Sequence, residues 1–319
     1  MDISDSIIGA DPAFVAVLDH VSDLAKLNRP VLVMGERGSG KELIAARLHY
    51  LSRRWDGPYI RANCAAFTES LLESELFGHE AGAFTGAQRM RAGLLERAEG
   101  GSLLLDEIGL AGQAVQEKLL RAVEYGEFER LGGTRTLSAD IRFIGATNED
   151  LRVAVEKGRF RADLLDRLSF EVVAVPPLRH RPLDIPILAE YFARGMARDL
   201  AWPTYPGFTR AAEKVLETYD WPGNIREMRN VVERSVFRHG DPETAIDRIV
   251  IDVFPTAEGE TPTPGPRTLP AFDSEIETME RRLIRDALTA AEGNQAEAAR
   301  RLDMEYLRFR RVAKKHGAI

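Results

Sequence analysis

Up to about residue 175, short apolar runs alternate with longer stretches of helical periodicity. Residues 31–34, 59–61, 103–105, 143–146 and 172–175 read as strands, and most are separated by windows such as 41–54 and 113–125, whose apolar positions recur at three- and four-residue intervals. That alternation predicts a parallel sheet covered by helices, an α/β fold. Between Phe128 and Ile141 the repeat breaks into two short alternating runs around Gly132-Gly133, a predicted hairpin insertion. After Pro176-Pro177 the strand signal stops, and helical windows follow at 182–198, 209–219 and 224–239. Residues 1–175 are thus expected to form the α/β domain and 176–254 a small helical one. Residues 255–272 hold five prolines and two glycines in eighteen positions and read as a linker. The remainder, 273–319, shows a long amphipathic window (273–291), a Gly293-Asn294 break, a short helix (295–302) and a last helix (305–316), the spacing of a helix-turn-helix.

Composition sharpens this picture. A chain of 319 residues is about twice a typical domain, which supports more than one packed unit. With 44% hydrophobic and 29% charged residues it falls in the ordinary globular range. No apolar run is long enough to span a bilayer and the amino terminus lacks a basic, apolar leader, so neither membrane insertion nor export is expected. The single cysteine, Cys64, can form no internal disulfide, and a cytoplasmic location is expected. The net charge of −7 argues against nucleic-acid binding until its distribution is examined. From Asn294 to Ile319 there are seven bases against three acids, a surplus of four positive charges that leaves the rest of the chain at −11. Such asymmetry points to a partner for the tail, with a solvated helix face as the plainer alternative.

Gly35-Glu36-Arg37-Gly38-Ser39-Gly40-Lys41-Glu42 follows the strand at 31–34 and opens a helix, the setting a phosphate loop requires. Glycines let backbone N–H groups close around phosphate oxygens, the helix N-terminus adds partial positive charge, and Lys41 adds a full one. Where the general pattern has a Mg²⁺-binding Ser or Thr, this loop has Glu42, so metal ligation must come from elsewhere. Leu103-Leu104-Leu105-Asp106-Glu107 offers it: Asp106 can hold Mg²⁺ through water, and Glu107 can orient and deprotonate an attacking water. A third strand ends in Ala146-Thr147-Asn148, adding an amide at the same carboxyl edge, where ligands bind in such sheets. Taken singly these are a glycine-rich turn, a charged strand cap and a turn residue; together they predict ATP with Mg²⁺.

The combination resembles the AAA+ ATPases, with Asn148 matching their first sensor residue. Gly82-Ala83-Phe84-Thr85-Gly86-Ala87, by itself a flexible turn with an apolar and hydroxyl tip, matches the GAFTGA signature of bacterial enhancer-binding proteins, the AAA+ activators of sigma-54 RNA polymerase. The segments Glu75-Leu76-Phe77-Gly78-His79-Glu80 and Trp221-Pro222-Gly223-Asn224-Ile225-Arg226-Glu227, and Glu42 in the phosphate loop, are similar to the same family. The resemblance runs from Ile8-Gly9 to the last helix. It implies that Ile8, residues 35–42 and Arg226, the last as second sensor, contact nucleotide. It also implies that Asn63 is a switch residue pairing with Glu107, and that residues 82–87 touch sigma-54. Arg161 and Arg167 would reach a neighbouring subunit's nucleotide; without the resemblance they read as surface ion-pair partners of Asp163 and Asp166. A site completed by a neighbour needs head-to-tail contacts that close into a ring, and the family implies a hexamer.

Because the AAA+ pattern starts almost at Met1 with no receiver or sensory domain ahead of it, the resemblance is to the phage-shock branch of the family. That branch implies control by a separate membrane-associated repressor, phage shock protein A. Trp55, at a helix-to-loop junction, is its expected docking residue, against the alternative that the ring packs on the helix end. The tail resembles the family's Fis-type DNA-binding domain, with Tyr306, Arg308 and Arg310 toward the major groove of double-stranded DNA and Lys314 and Lys315 toward phosphates. It departs from the family at Asp303-Met304, where a glycine is common, and at Glu305, where a better N-cap is usual. Two other classes stay open on sequence: another AAA+ remodelling machine such as a helicase loader, and a non-catalytic DNA-binding repressor.

Overall fold

In the computed structural model, which describes residues 7–252, 283–291 and 294–315, the apolar runs form one five-stranded parallel sheet. Its elements in chain order begin with α1 (Pro12–Ala25), β1 (Val31–Met34), α2 (Lys41–Tyr50), β2 (Tyr59–Asn63), α3 (Glu69–Phe77), β3 (Gly78–His79) and β4 (Arg91–Ala92). There follow α4 (Leu94–Arg97), β5 (Ser102–Asp106), α5 (Gln113–Tyr125), β6 (Glu127–Glu129), β7 (Thr136–Ser138), β8 (Arg142–Thr147), α6 (Leu151–Glu156), α7 (Ala162–Leu168) and β9 (Val172–Ala174). The order across the sheet is β2-β5-β8-β1-β9, all parallel. Side-chain alternation divides the strands between two cores. Val31, Val33, Leu104 and Ile144 pack with α1 and α2 on one face, and Leu32, Leu103, Leu105 and Phe143 pack with α3, α5 and α7 on the other.

A buried guanidinium closes the lower end of this sheet. Arg142 donates to the carbonyls of Leu24 (2.9 Å), Ala25 (3.1 Å), Leu48 (3.2 Å) and Arg29 (3.2 Å), satisfying the ends of α1 and α2. Burial holds its pKa down, to about 10. The expected insertion is present as the antiparallel pair β6–β7. The helix expected over 41–54 stops at Tyr50, because the Ser52 hydroxyl donates to the His49 carbonyl at 2.7 Å and accepts from the Arg54 N–H at 3.1 Å, drawing the chain into turns.

Beyond the sheet lie α8 (Asp184–Asp199), α9 (Arg210–Thr218) and α10 (Asn224–His239), packed round Trp221, Met228, Val232 and Leu188. The chain divides into two compact units, Met1–Val253 and Phe254–Ile319. Within the second, helical residues 283–290 (α11), α12 (Gln295–Arg301) and α13 (Tyr306–Lys315) surround Phe309, Ala298 and Ala313. The proline-rich 255–272 and the start of the helix expected from 273 lie outside the described residues.

Candidate functional site

β1 delivers the chain to Gly35, and α2 begins at Lys41. Between them Gly38 and Gly40 take φ of 74° and 102°, the left-handed region open to glycine. Gly38 also has no room for a side chain, since a Cβ would stand 2.4 Å from the Gly223 carbonyl oxygen. Lys41 is nearly buried, its Nζ 3.0 Å from the Gly35 carbonyl, 3.4 Å from that of Glu36 and 3.8 Å from Glu107 Oε1.

β5 sets Asp106 in register with Asn63 of β2. The Asn63 amide donates to Asp106 Oδ2 at 3.4 Å, while its Oδ1 accepts from the Ala65 N–H at 2.8 Å; Asn63 thus faces Asp106, and the expected partner Glu107 is turned toward Lys41. Glu107 holds a φ of 52°, a left-handed backbone that is strained for a side-chain-bearing residue. Burial, and then the Glu107 charge, hold the Asp106 carboxyl above its usual range, with Lys41 partly opposing them. Burial likewise pushes the neighbouring Cys64 thiol up to about 12. A carboxylate raised by a like charge is one that a cation relieves. Among the described residues no cluster of three or more His, Cys, Asp or Glu could hold a metal unaided. That donor set suits Mg²⁺, which uses one or two carboxylates together with water and substrate phosphates.

The helical elements close the other side. The Ile225 N–H donates to the Gly38 carbonyl at 3.0 Å, and buried Asn224 donates to Glu36 Oε2 (3.0 Å) and the Arg37 carbonyl (3.1 Å) while accepting from the Leu178 N–H (2.8 Å). Arg179 grips the Glu36 carboxylate through two bonds of 2.5 and 2.8 Å, which, with Asn224, holds its pKa down to about 2. Glu36 therefore ties the loop to the helical elements rather than facing the cavity.

The cavity so enclosed measures about 500 Å³ and is lined by residues 37–42, Lys41 among them, with Ile8, Asn63, Asp106, Glu107 and Arg226. Gly35 and Glu36 do not line it. It also takes in Ile7, Phe14, Tyr191, Phe192 and Arg229, which the motifs do not reveal; the helical periodicity of 182–198 is the nearest signal for Tyr191 and Phe192, and that of 224–239 for Arg229. Asn148 follows β8 at the expected sheet edge but is exposed and outside the cavity wall. Arg161 and Arg167 are outside it too. Arg161 pairs with Asp163 at 2.7 Å, and Arg167 with Glu124 of α5 at 2.6 Å, not with Asp166.

Residues 80–90 form an arm whose neck is the two-residue pair β3–β4. The neck is stitched to the insertion by the Leu131 N–H donating to the Gly78 carbonyl and the Glu80 N–H donating to that of Leu131, both 3.0 Å, and by Arg130 pairing with Glu80 and Glu96. Gly82 and Gly86 have φ of 81° and 104°, and Ala87 is buried. Thr85 is exposed, whereas Phe84 is half-exposed, its ring edge-on to His79 at 5.0 Å. Trp55, in the turns after α2, is 63% exposed.

In the carboxyl-terminal unit, Asn294 caps α12 by accepting from the N–H groups of Ala296 and Glu297. Asp303 takes the left-handed φ of 52° that a glycine would supply, which aspartate tolerates, and Met304 packs into the small core. Tyr306, Arg308, Arg310, Lys314 and Lys315 are all exposed on α13.

Comparison with known proteins adds to this geometry. Residues 7–174 match the model of the sigma-54 interaction domain, 179–263 that of the AAA+ ATPase lid domain, and 275–308 that of the bacterial regulatory protein, Fis family. The chain is 52% identical to the Psp operon transcriptional activator of Escherichia coli K12, over 99% of each chain. It is 45% identical to the Nif-specific regulatory protein of Azotobacter vinelandii, covering 93% of this chain and 56% of that one. Among solved structures, NtrX from Brucella abortus in complex with ATP superposes with a TM-score of 0.74 at 31% identity, over 99% of this chain and 71% of that one. The ADP complex of the same protein gives the same values.

Proposed function

The chain belongs to the sigma-54 interaction family of AAA+ transcription activators that carry a Fis-type helix-turn-helix, and we propose that it hydrolyses ATP to open promoters bound by sigma-54 RNA polymerase holoenzyme while anchored at an enhancer-like DNA site. The observation that carries the catalytic reading is the meeting of Lys41, Asn63, Asp106, Glu107 and Arg226 around one cavity. Lys41 and the N–H groups of residues 37–42 would take the phosphates, with Arg226 reaching them from the helical side. Asp106 would hold Mg²⁺ through water, and that ion supplies charge neutralisation on the phosphates. Glu107 takes the proton of a water as its oxygen bonds to the γ-phosphorus and the bond to the bridging oxygen breaks, leaving ADP and phosphate. Asn63, beside Asp106, and Asn148, at the sheet edge, would report the state of the γ-phosphate. Arg161 and Arg167, outside their own chain's cavity, would serve a neighbour's in a head-to-tail hexamer.

The arm at 82–87 would engage sigma-54, and α13 would read double-stranded DNA. Similarity to the Psp operon activator, phage shock protein F, supports a role in a phage-shock response, with phage shock protein A as repressor at Trp55. Transcription from a sigma-54 promoter, with hydrolysable and non-hydrolysable ATP, tests the whole reading. Glu107→Gln should keep ATP binding while turnover falls about 10²–10⁴-fold. Thr85→Ala should hydrolyse ATP yet form no open complex. Near wild-type hydrolysis by Glu107→Gln, or open complexes from Thr85→Ala, would overturn the respective assignment.

A further inference from the structure

Asp184 opens α8 and is fully buried, yet its carboxylate serves another part of the chain. Oδ1 accepts the N–H groups of Ala10 at 2.6 Å and Asp11 at 2.8 Å, and Asp11 Oδ2 accepts from the Leu183 N–H at 3.3 Å. The strap formed by residues 7–11 is thereby hung on the start of the helical elements. Its apolar side chains divide: Ile7 packs into the core of the sheet and Ile8 into the helical core. Both line the cavity together with Phe14, Leu188 and Phe192, an apolar wall suited to a planar base, where Lys41 and its neighbours suit phosphate.

Arg181, also fully buried, stands three residues before Asp184. Its Nη2 donates to the Ser39 carbonyl of the phosphate loop at 2.8 Å, its guanidinium lies 4.5 Å over the Phe14 ring, and Nη1 is 3.9 Å from Asp184 Oδ2. Nε and Nη1 of Arg181, Oδ2 of Asp184 and Oγ of Ser39 have no hydrogen-bond partner. A buried ion pair that stops short of a hydrogen bond is costly, and stability alone would favour apolar residues there. What the pair does achieve is a connection of loop, strap and helix through two side chains.

We propose that Arg181 and Asp184 are positioning residues for nucleotide binding, Arg181 fixing the phosphate loop and Asp184 the base-facing strap at the separation one purine nucleotide spans. This rests on the ATP-site reading above. The test is displacement of a fluorescent ADP analogue from the full-length protein by ADP and, separately, by inorganic tripolyphosphate, which has no base. Asp184→Asn keeps the side-chain shape but sets an amide against Arg181. It should weaken ADP about tenfold, because the Ala10 and Asp11 N–H groups then meet a neutral amide oxygen in place of a carboxylate, and leave tripolyphosphate within about twofold of wild type, because the Arg181 bond to the Ser39 carbonyl is kept. Gly9→Ala displaces the strap while leaving both charged groups in the chain, because its Cβ would stand 2.5 Å from the Phe14 ring and 2.8 Å from Asp184 Oδ2. It should give the same base-selective loss, and decides the matter if Asp184→Asn does not fold. Wild-type ADP affinity in the folded variants, or equal losses for ADP and tripolyphosphate, would overturn the proposal. A wild-type protein that binds neither ligand would instead overturn the ATP-site reading.

Discussion

Glu36 sits inside the phosphate-loop motif, and its identity as part of that motif suggested a ligand contact. Its carboxylate is instead held by Arg179 and Asn224, with a pKa of about 2 against an ordinary 4.5. A depressed carboxylate pKa contributes stability that is fully present above the unfolded value and is lost as the pH falls toward the folded one. Glu36→Gln should therefore melt below wild type at neutral pH, by at most about 4 °C for so exposed and screened a pair. The difference should close between about pH 4.5 and 2, which thermal unfolding across that range would check. No sequence motif announces Arg179 as the partner, because the pairing depends on a chain reversal that brings residue 179 back over residue 36. Asp106 and Glu107 were legible because they close an apolar strand whose place the parallel sheet fixes, and Lys41 because a glycine-rich loop leads from such a strand to the helix that it opens.

Elements were legible to the extent that they bury a continuous apolar stripe. The strand at 31–34 and the helices at 113–125 and 224–239 were read at their observed bounds for that reason. α1 went unread although Asp11 as its N-cap and Pro12 as its first residue are start signals, and two-residue strands such as β3 and β4 carry no periodicity to read. The neck they form has no room for a side chain at Gly78 or Gly93. Gly78 has a φ of 76°, and a Cβ there would stand 2.5 Å from the Arg91 carbonyl oxygen and 2.7 Å from the Gly93 nitrogen. Gly78→Ala should cost about 1–3 kcal/mol or more and splay the arm. Nucleotide affinity should stay near wild type, because β1 and β5 carry that site, while co-elution with sigma-54 in the presence of an ATP transition-state analogue should be lost.

At the scale of the whole molecule, the chain divides into two compact units, Met1–Val253 and Phe254–Ile319, and the basic stretch 294–319 lies inside the second, whose eleven bases and eleven acids balance as a whole. A chain ending at Phe254 should keep its ATPase activity and lose site-specific DNA retention, measurable by turnover and by electrophoretic mobility shift. Trp55→Ala should leave ATPase activity unchanged and relieve inhibition by phage shock protein A in a turnover assay with the repressor added, as expected for an exposed aromatic anchor. The strand order also bears on synthesis. β1 pairs with β8 and β9 and not with β2 or β5, although it is the first of these five strands to leave the ribosome. At translation speeds of about 5–20 residues per second, roughly five to twenty seconds separate its emergence from that of β8. Through that interval Val31–Met34 is an unpaired apolar edge, the kind of surface chaperones hold, while β2 and β5 can already zip together. Arg142, at the head of β8, arrives with the strand that ends the wait and locks the carbonyl ends of α1 and α2 in the same step. The phosphate loop, translated ahead of β2, β5 and β8, gains a rigid support only after all three.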